Sequence, residues 1–281
     1  MTTASTISAA RVTTVLAIGL MAISMSGEAA TLYANGFETN ISDWDAFGGT
    51  YAATRVASGT NGVSSASGSF HAESSASGSA SRWGGYNFGA GDAVPTAFQE
   101  YTTSIDIYLD VGAGLANDTR FDFSSAINNN SGTHQRDFIF NAGFYDDASG
   151  PGSGLNRFVI SASNNSQPGS AYAKNPDKSP IAITLTGWYT FEHHFYDNGG
   201  VLAVDMNIYD AANVLINTWT LSNAADLIAG IGGNRYGWFD YNKLPTLAFD
   251  NASLNVIPIP AAVWLFGSAL GMLGWARRRI S

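Results

Sequence analysis

Apolar and polar residues alternate along most of the chain. From Phe98 to Asp110, Tyr101, Thr103, Ile105, Ile107 and Leu109 alternate with Thr102, Ser104, Asp106, Tyr108 and Asp110, the period-two pattern of a strand that buries one face. Shorter runs of the same kind cover Arg120 to Ser125, Asp137 to Tyr145, Arg157 to Ser163, Trp188 to Tyr196, Val201 to Tyr209, Val214 to Thr220 and Thr246 to Asn255. Asn128-Asn-Asn-Ser-Gly, Ser149-Gly-Pro-Gly-Ser-Gly and Gly232-Gly-Asn separate them, and these are loop compositions. Ala57 to Ser81 is rich in Ser, Ala and Gly around Phe70-His71-Ala72, and reads either as one weak edge strand between flexible arms or as a long loop.

The best-specified hairpin is Trp188 to Tyr209. Asn198-Gly199 favours a two-residue type I′ turn with Asp197 opposite Gly200. In that register Phe195 faces Leu202, His193 faces Val204, Phe191 faces Met206 and Tyr189 faces Ile208 on an apolar side that belongs to the core. The other side pairs Tyr196 with Val201, His194 with Ala203, Glu192 with Asp205, Thr190 with Asn207 and Trp188 with Tyr209. The apolar side has one exception, His193, expected to be a hydrogen-bonded core residue.

The expected fold is all-β, a two-sheet jelly-roll sandwich over 31–256, preceded by a signal helix in 1–30 and followed by a transmembrane helix in 257–281. At the N-terminus Arg11 precedes the apolar run Val12 to Met25, and Ser-Gly-Glu-Ala-Ala then offers small residues for cleavage near Ala29 or Ala30, the layout of a secretory signal peptide. At the C-terminus Pro258-Ile259-Pro260 leads into the apolar segment Ala261 to Ala276 and then into Arg277, Arg278 and Arg279. Prolines end the preceding strand, and the arginines would stay cytoplasmic.

Cysteine is absent, so no disulfide framework or thiolate metal site is open to this chain. The full chain carries a formal charge of −9; setting aside Arg11, Glu28 and the three terminal arginines leaves about −12 on the body, which argues against nucleic acid as a partner.

The stretch from Val256 through Pro258, Pro260 and Trp264 to Arg279 resembles the PEP-CTERM sorting signal in its VPxPA-type form. It departs from that family by Ile259 in place of the Glu between the prolines and by Ile257 in place of Val. The resemblance implies cutting near the proline motif by a membrane-embedded exosortase-like enzyme. The body would then pass to the envelope, surface or matrix of a Gram-negative bacterium and associate with exopolysaccharide or biofilm. A plain transmembrane anchor is the other reading of the same segment.

The body is similar to concanavalin A-like and laminin-G-like sandwiches. Asn35-Gly-Phe-Glu38 with Trp44, and Leu247 to Leu254, are similar to the terminal strands of jelly-roll carbohydrate-binding modules. That resemblance implies a structural calcium near the joined terminal strands, with Glu38 and Asp250 in the matching positions; no other cofactor is expected.

The polar side of the hairpin is the candidate ligand surface: Trp188 and Tyr209 as stacking rings, with Glu192, His194, Asp205 and Asn207 as hydrogen-bonding partners for a polysaccharide. The alternative is an ordinary solvated face. Glu192 and Asp205, placed directly opposite, could also serve a glycoside hydrolase, although the Glu-x-Asp-x-x-Glu strand signature of laminarinase-like enzymes is missing. Arg120, His134, Arg136, Asn141 and Tyr145 supply the residue types of a polysaccharide lyase without its sequence order. His193 and His194 point to opposite faces of one strand and cannot chelate one ion. The reading reached from the sequence is a non-catalytic, carbohydrate-associated exported protein; a surface glycan-cleaving enzyme and a structural protein without specific ligand are the alternatives.

Overall fold

The computed structural model describes residues 30–42, 44, 53–75, 98–165, 173–232 and 237–257. The expected signal peptide and the sorting residues Pro258, Pro260, Arg277, Arg278 and Arg279 lie outside the described residues. Contacts divide the chain into Glu28–Pro258 and a second unit, Met1–Gly27 with Ile259–Ser281; the account that follows is of the first.

The described residues of this unit form thirteen strands: β1 Ala30–Asn35, β2 Thr54–Ala57, β3 Phe70–Ser74, β4 Tyr101–Leu109, β5 Thr119–Asn128, β6 His134–Tyr145, β7 Arg157–Ser163, β8 Ile181–Ile183, β9 Gly187–Asn198, β10 Val201–Asp210, β11 Leu215–Leu227, β12 Gly237–Asp240 and β13 Leu247–Val256. Sheet A runs β11-β10-β9-β4-β13-β3-β2 with β1 also on β13, and sheet B runs β12-β5-β6-β7-β8; every pairing is antiparallel. The all-β, two-sheet expectation therefore holds for the body. No helix among the described residues is long and apolar enough to cross a membrane.

Alternation places the core between the sheets. In β4, Tyr101, Thr103, Ile105, Ile107 and Leu109 are buried while the residues between them are half-buried. From β9 and β10, Tyr189, Phe191, His193, Phe195, Leu202, Val204, Met206 and Ile208 join them. Sheet B answers with Phe121, Phe123, Phe138, Phe140, Phe144 and Phe158, and rings interlock across the gap: Phe140 meets Phe191 at 5.1 Å and Phe138 meets Phe195 at 5.5 Å, both edge to face. A cysteine-free chain thus rests on aromatic packing.

The two ends of the body meet on β13. Its first residues pair with β3 and its last with β1, and between them Asp250 and Asn251 interrupt the register, Asn251 at φ 50°. Phe37 and Trp44, from the segment after β1, pack on Phe249 at 5.3 and 4.9 Å. This joins the terminal motifs singled out from the sequence.

Candidate carbohydrate-binding cleft on the outer face of sheet A

Trp188, Glu192, His194, Asp205, Asn207 and Tyr209 all lie on the outer face of sheet A, as the alternation of β9 and β10 requires. Their pairing differs from the expected one. The turn is Gly199-Gly200, not Asn198-Gly199, so Glu192 lies opposite Asn207, Asp205 opposite His194, and Tyr209 opposite Thr190. A type I′ turn needs positive φ at both central residues. Gly199 and Gly200 supply 69° and 93° without a Cβ to clash, and Asp197 Oδ1 accepts the Gly200 N–H at 2.6 Å. Moving the turn by one residue preserves which side chains face the core and changes every cross-strand partner.

The chemical consequence is direct. Glu192 and Asp205 are no longer directly opposite, so the close carboxylate pair expected from the sequence is not formed. Each carboxylate instead has its own donors. Glu192 accepts from Asn207 Nδ2 at 3.0 Å and from the Tyr209 hydroxyl at 3.2 Å. Asp205 accepts from Thr220 Oγ1 at 2.6 Å and from the Tyr196 hydroxyl at 3.3 Å. Burial first, and the facing carboxylate second, push both tyrosine hydroxyls up, which keeps them donors at neutral pH. His194 Nε2 meets Glu100 Oε1 at 2.7 Å. The face is a hydrogen-bonded lattice with ordered side chains.

The Trp188 indole is tethered at its N–H. Its Nε1 donates to the Ser64 carbonyl at 2.8 Å, and its ring is edge-on to Tyr108 at 5.3 Å and to His71 at 6.0 Å. Ser64 belongs to the segment between β2 and β3 that the sequence left as weak strand or loop. Phe70–Ser74 is a strand interior to the sheet, between β2 and β13, and residues 58–69 cross the outer face as a tethered turn. Between that turn and the β10–β11 turn lies a cleft of about 150 Å³ lined by Ala66, Asp106, Trp188, Thr190, Asp210, Ala211 and Asn213. Asp106 is held by Thr190 Oγ1 at 2.5 Å and Asn251 Nδ2 at 2.8 Å; Asp210 Oδ1 accepts the Ala212 and Val214 N–H groups, both at 2.9 Å. An indole wall beside fixed oxygen acceptors can seat a ring that is apolar on its faces and hydroxylated at its rim.

Glu38 and Asp250, the residues expected near a structural calcium, each accept hydrogen bonds from the crossing turn. Glu38 Oε1 accepts the N–H groups of Ser69 and Phe70 at 2.9 and 3.1 Å, whereas Asp250 Oδ2 accepts that of Ser67 at 3.2 Å. Both carboxylates grip the 58–69 turn, and a Cβ on Gly68 would fall 2.2 Å from Glu38 Oε1. Asp250 is fully buried, and desolvation raises its carboxyl to about 6. Among the described residues no group of three or more His, Asp or Glu is placed to hold a metal.

The lyase set is also divided. Arg136 pairs with Asp226, and His134 Nε2 lies 2.5 Å from Asp137. Arg120, Asn141 and Tyr145 do share the outer face of sheet B, beside a group that the sequence did not single out. There Asn141 Nδ2 donates to Asp122 Oδ1 at 3.0 Å and Ser163 Oγ donates to Asn141 Oδ1 at 3.0 Å. Asp122, Asn141, Ser161 and Ser163 are all buried, and burial pushes Asp122 up to about 7. The available signal was the alternation of small polar residues with Phe, Val and Ile in Phe121 to Ser125 and Val159 to Ser163.

Comparison with known proteins finds no matching family model and no matching curated protein. Solved structures to which the chain is similar include the CBM2 module of the evolved Dit of Lactobacillus casei BL23 phage J-1, at TM-score 0.42 and 12% identity over 82% of this chain and 97% of that one. A galectin-like protein of unknown function from Bacillus subtilis matches at TM-score 0.37 and 9% identity, over 82% and 98%. The winged bean acidic lectin, in complex with methyl-α-D-galactose, matches at TM-score 0.37 and 14% identity, over 82% and 99%.

Proposed function

We propose that this chain is an exported surface protein that binds carbohydrate in the cleft beside Trp188. The observation that carries this reading is the cleft itself, where an immobilised indole stands next to oriented side-chain oxygens of Asp106, Thr190 and Asp210. Flat apolar sugar faces stack on such a wall, and carboxylates accept hydroxyl hydrogen bonds. The lattice of Glu192, Asn207 and Tyr209 continues from the cleft, because Tyr209 lies opposite Thr190, and it offers a track for further sugar units. Cleavage of glycosidic bonds is not part of this reading, since the Glu192 and Asp205 carboxylates are each committed to other partners.

Export rests on the two ends of the sequence: the N-terminal apolar run with its small-residue cleavage site, and the proline, apolar and arginine order at the C-terminus. In this proposal an exosortase-like enzyme cuts near Pro258 and Pro260, and the released body associates with exopolysaccharide.

The full-length chain on a glycan array, paired with a reducing-sugar assay, should show binding without release of reducing ends. Trp188→Ala and Asn213→Gly should each weaken that binding. Asn213 sits at φ 60°, so glycine there removes the amide and leaves the turn unstrained. Retained affinity in both variants would remove the cleft as the site. Mass spectrometry of the mature protein should find a C-terminus upstream of Ala261; an intact Ser281 on the surface-located protein would rule out processing.

A further inference from the structure

Beside the Trp188 ring, two side chains of β3 and two of the crossing turn form a hydrogen-bonded chain that the cleft does not need for stacking. Ser65 Oγ lies 3.1 Å from His71 Nδ1, His71 Nε2 lies 3.3 Å from Glu73 Oε1, and Asn61 Nδ2 donates to Glu73 Oε2 at 2.7 Å. His71 and Glu73 are two apart on β3 and so share one face. His71 is fully buried, Glu73 is nearly so, and Ser65 is half-exposed on the crossing turn. In the tautomer whose Nε2–H donates to Glu73 Oε1, Nδ1 presents its lone pair to the Ser65 hydroxyl. A hydroxyl, an imidazole lone pair aimed at it and a carboxylate behind the imidazole are the three parts of an activated serine.

We propose that Ser65 is a nucleophile that removes acyl groups from the hydroxyls of a glycan held in the neighbouring cleft. Ala66, the next residue, forms part of the cleft wall, and Asn213 lines the wall formed by the β10–β11 turn. Ser65 Oγ attacks the ester carbonyl carbon as its proton passes to His71 Nδ1. The bond to the sugar oxygen then breaks, and that oxygen leaves with the proton from Nδ1, which gives acyl-Ser65 and a free sugar hydroxyl. Water attacks the acyl group by the same route, releases a carboxylic acid and restores Ser65. No oxidant, metal or cofactor enters the balance. Glu73 is a positioning residue in this scheme, acting through His71. That the alcohol is a glycan rests on the carbohydrate reading of the cleft; the reactivity of Ser65 does not.

The test treats the full-length chain with a fluorophosphonate probe and, separately, with an O-acetylated polysaccharide, reading the labelled residue and the acetate released. The wild-type chain should label at Ser65 and release acetate. Ser65→Ala should lower both rates by about 100-fold or more, with Tm within about 4 °C of the wild type. Ser65→Cys should react faster with iodoacetamide in the folded chain than in urea, which separates an activated site from a lost fold. Glu73→Gln should slow labelling and change its pH dependence, which a merely structural carboxylate would leave unmoved. A wild-type chain that takes no label, or a Ser65→Ala chain that labels as fast, overturns the proposal. Labelling at Ser65 by a chain that binds no glycan would instead overturn the carbohydrate reading and leave the serine standing.

Discussion

Asp122 sits where a carboxyl is hard to ionise. Desolvation raises it to about 7, aided by the charge of Asp240 and opposed by the Asn141 amide and by Arg120. The folded chain therefore keeps a proton there that the unfolded chain releases near 3.8, so this group's contribution to stability is lost as pH rises from about 4 to about 7. Asp122→Asn keeps an acceptor for Asn141 and cannot ionise. We expect it to raise stability by on the order of 2–4 kcal/mol at pH 8 and by little at pH 4, measured by urea unfolding. His193 runs the other way. It lies fully buried among Phe123, Phe140 and Phe195, its Nε2 3.0 Å from the Phe138 carbonyl, and burial pushes it down to about 3. Below pH 6.5 the unfolded chain gains a proton that the folded chain refuses. Stability from this site falls with falling pH until about pH 3, by about 1.4 kcal/mol per unit. His193→Gln should flatten stability against pH in that window relative to wild type, and identical slopes would show that His193 does not control it.

At the scale of elements, the β9–β10 hairpin shows what a turn decides. Inside and outside were legible from alternation alone, because a side chain's face depends only on the parity of its position. The cross-strand partners were not, because Asn198-Gly199 and Gly199-Gly200 both satisfy the turn and preserve that parity. The structure uses the pair that costs no Cβ strain, and the separation of Glu192 from Asp205 follows from it. Gly200→Val should cost about 1–2 kcal/mol, read as a lower urea midpoint, because φ of 93° disfavours any β-branched residue. Substitution of Asn198 should cost much less, since it lies outside the turn. The 58–69 segment makes the complementary point. Its Ser, Ala and Gly composition carries little local preference, and its path is fixed by partners more than a hundred residues away in sequence, Trp188 and Asp250.

Across the whole body, charge is sorted between the sheets. Strands β1, β3, β4, β9, β10, β11 and β13 hold no Lys or Arg, so sheet A has Arg55 of β2 alone among its strands, while its outer face carries Glu73, Asp106, Glu192, Asp205 and Asp250. Sheet B has Arg120, Arg136 and Arg157 in three of its five strands. Sugars bearing uronate or sulfate groups would meet unscreened like charge at the cleft. We therefore expect glycan-array binding confined to neutral sugars, N-acetylated ones included, and nearly constant from about 0.05 to 0.5 M salt; retention of a polyuronate at low salt would contradict this account. By itself the sequence determined the all-β class, the core-facing residues of β4, β9 and β10, and the outer-face position of the six candidate residues, because these depend only on local periodicity. Tertiary structure alone decided which of those residues touch, that Glu38 and Asp250 hold a turn, and that Ser65 meets His71. Those facts depend on register and on long-range closure, and neither leaves a trace in the period of the pattern.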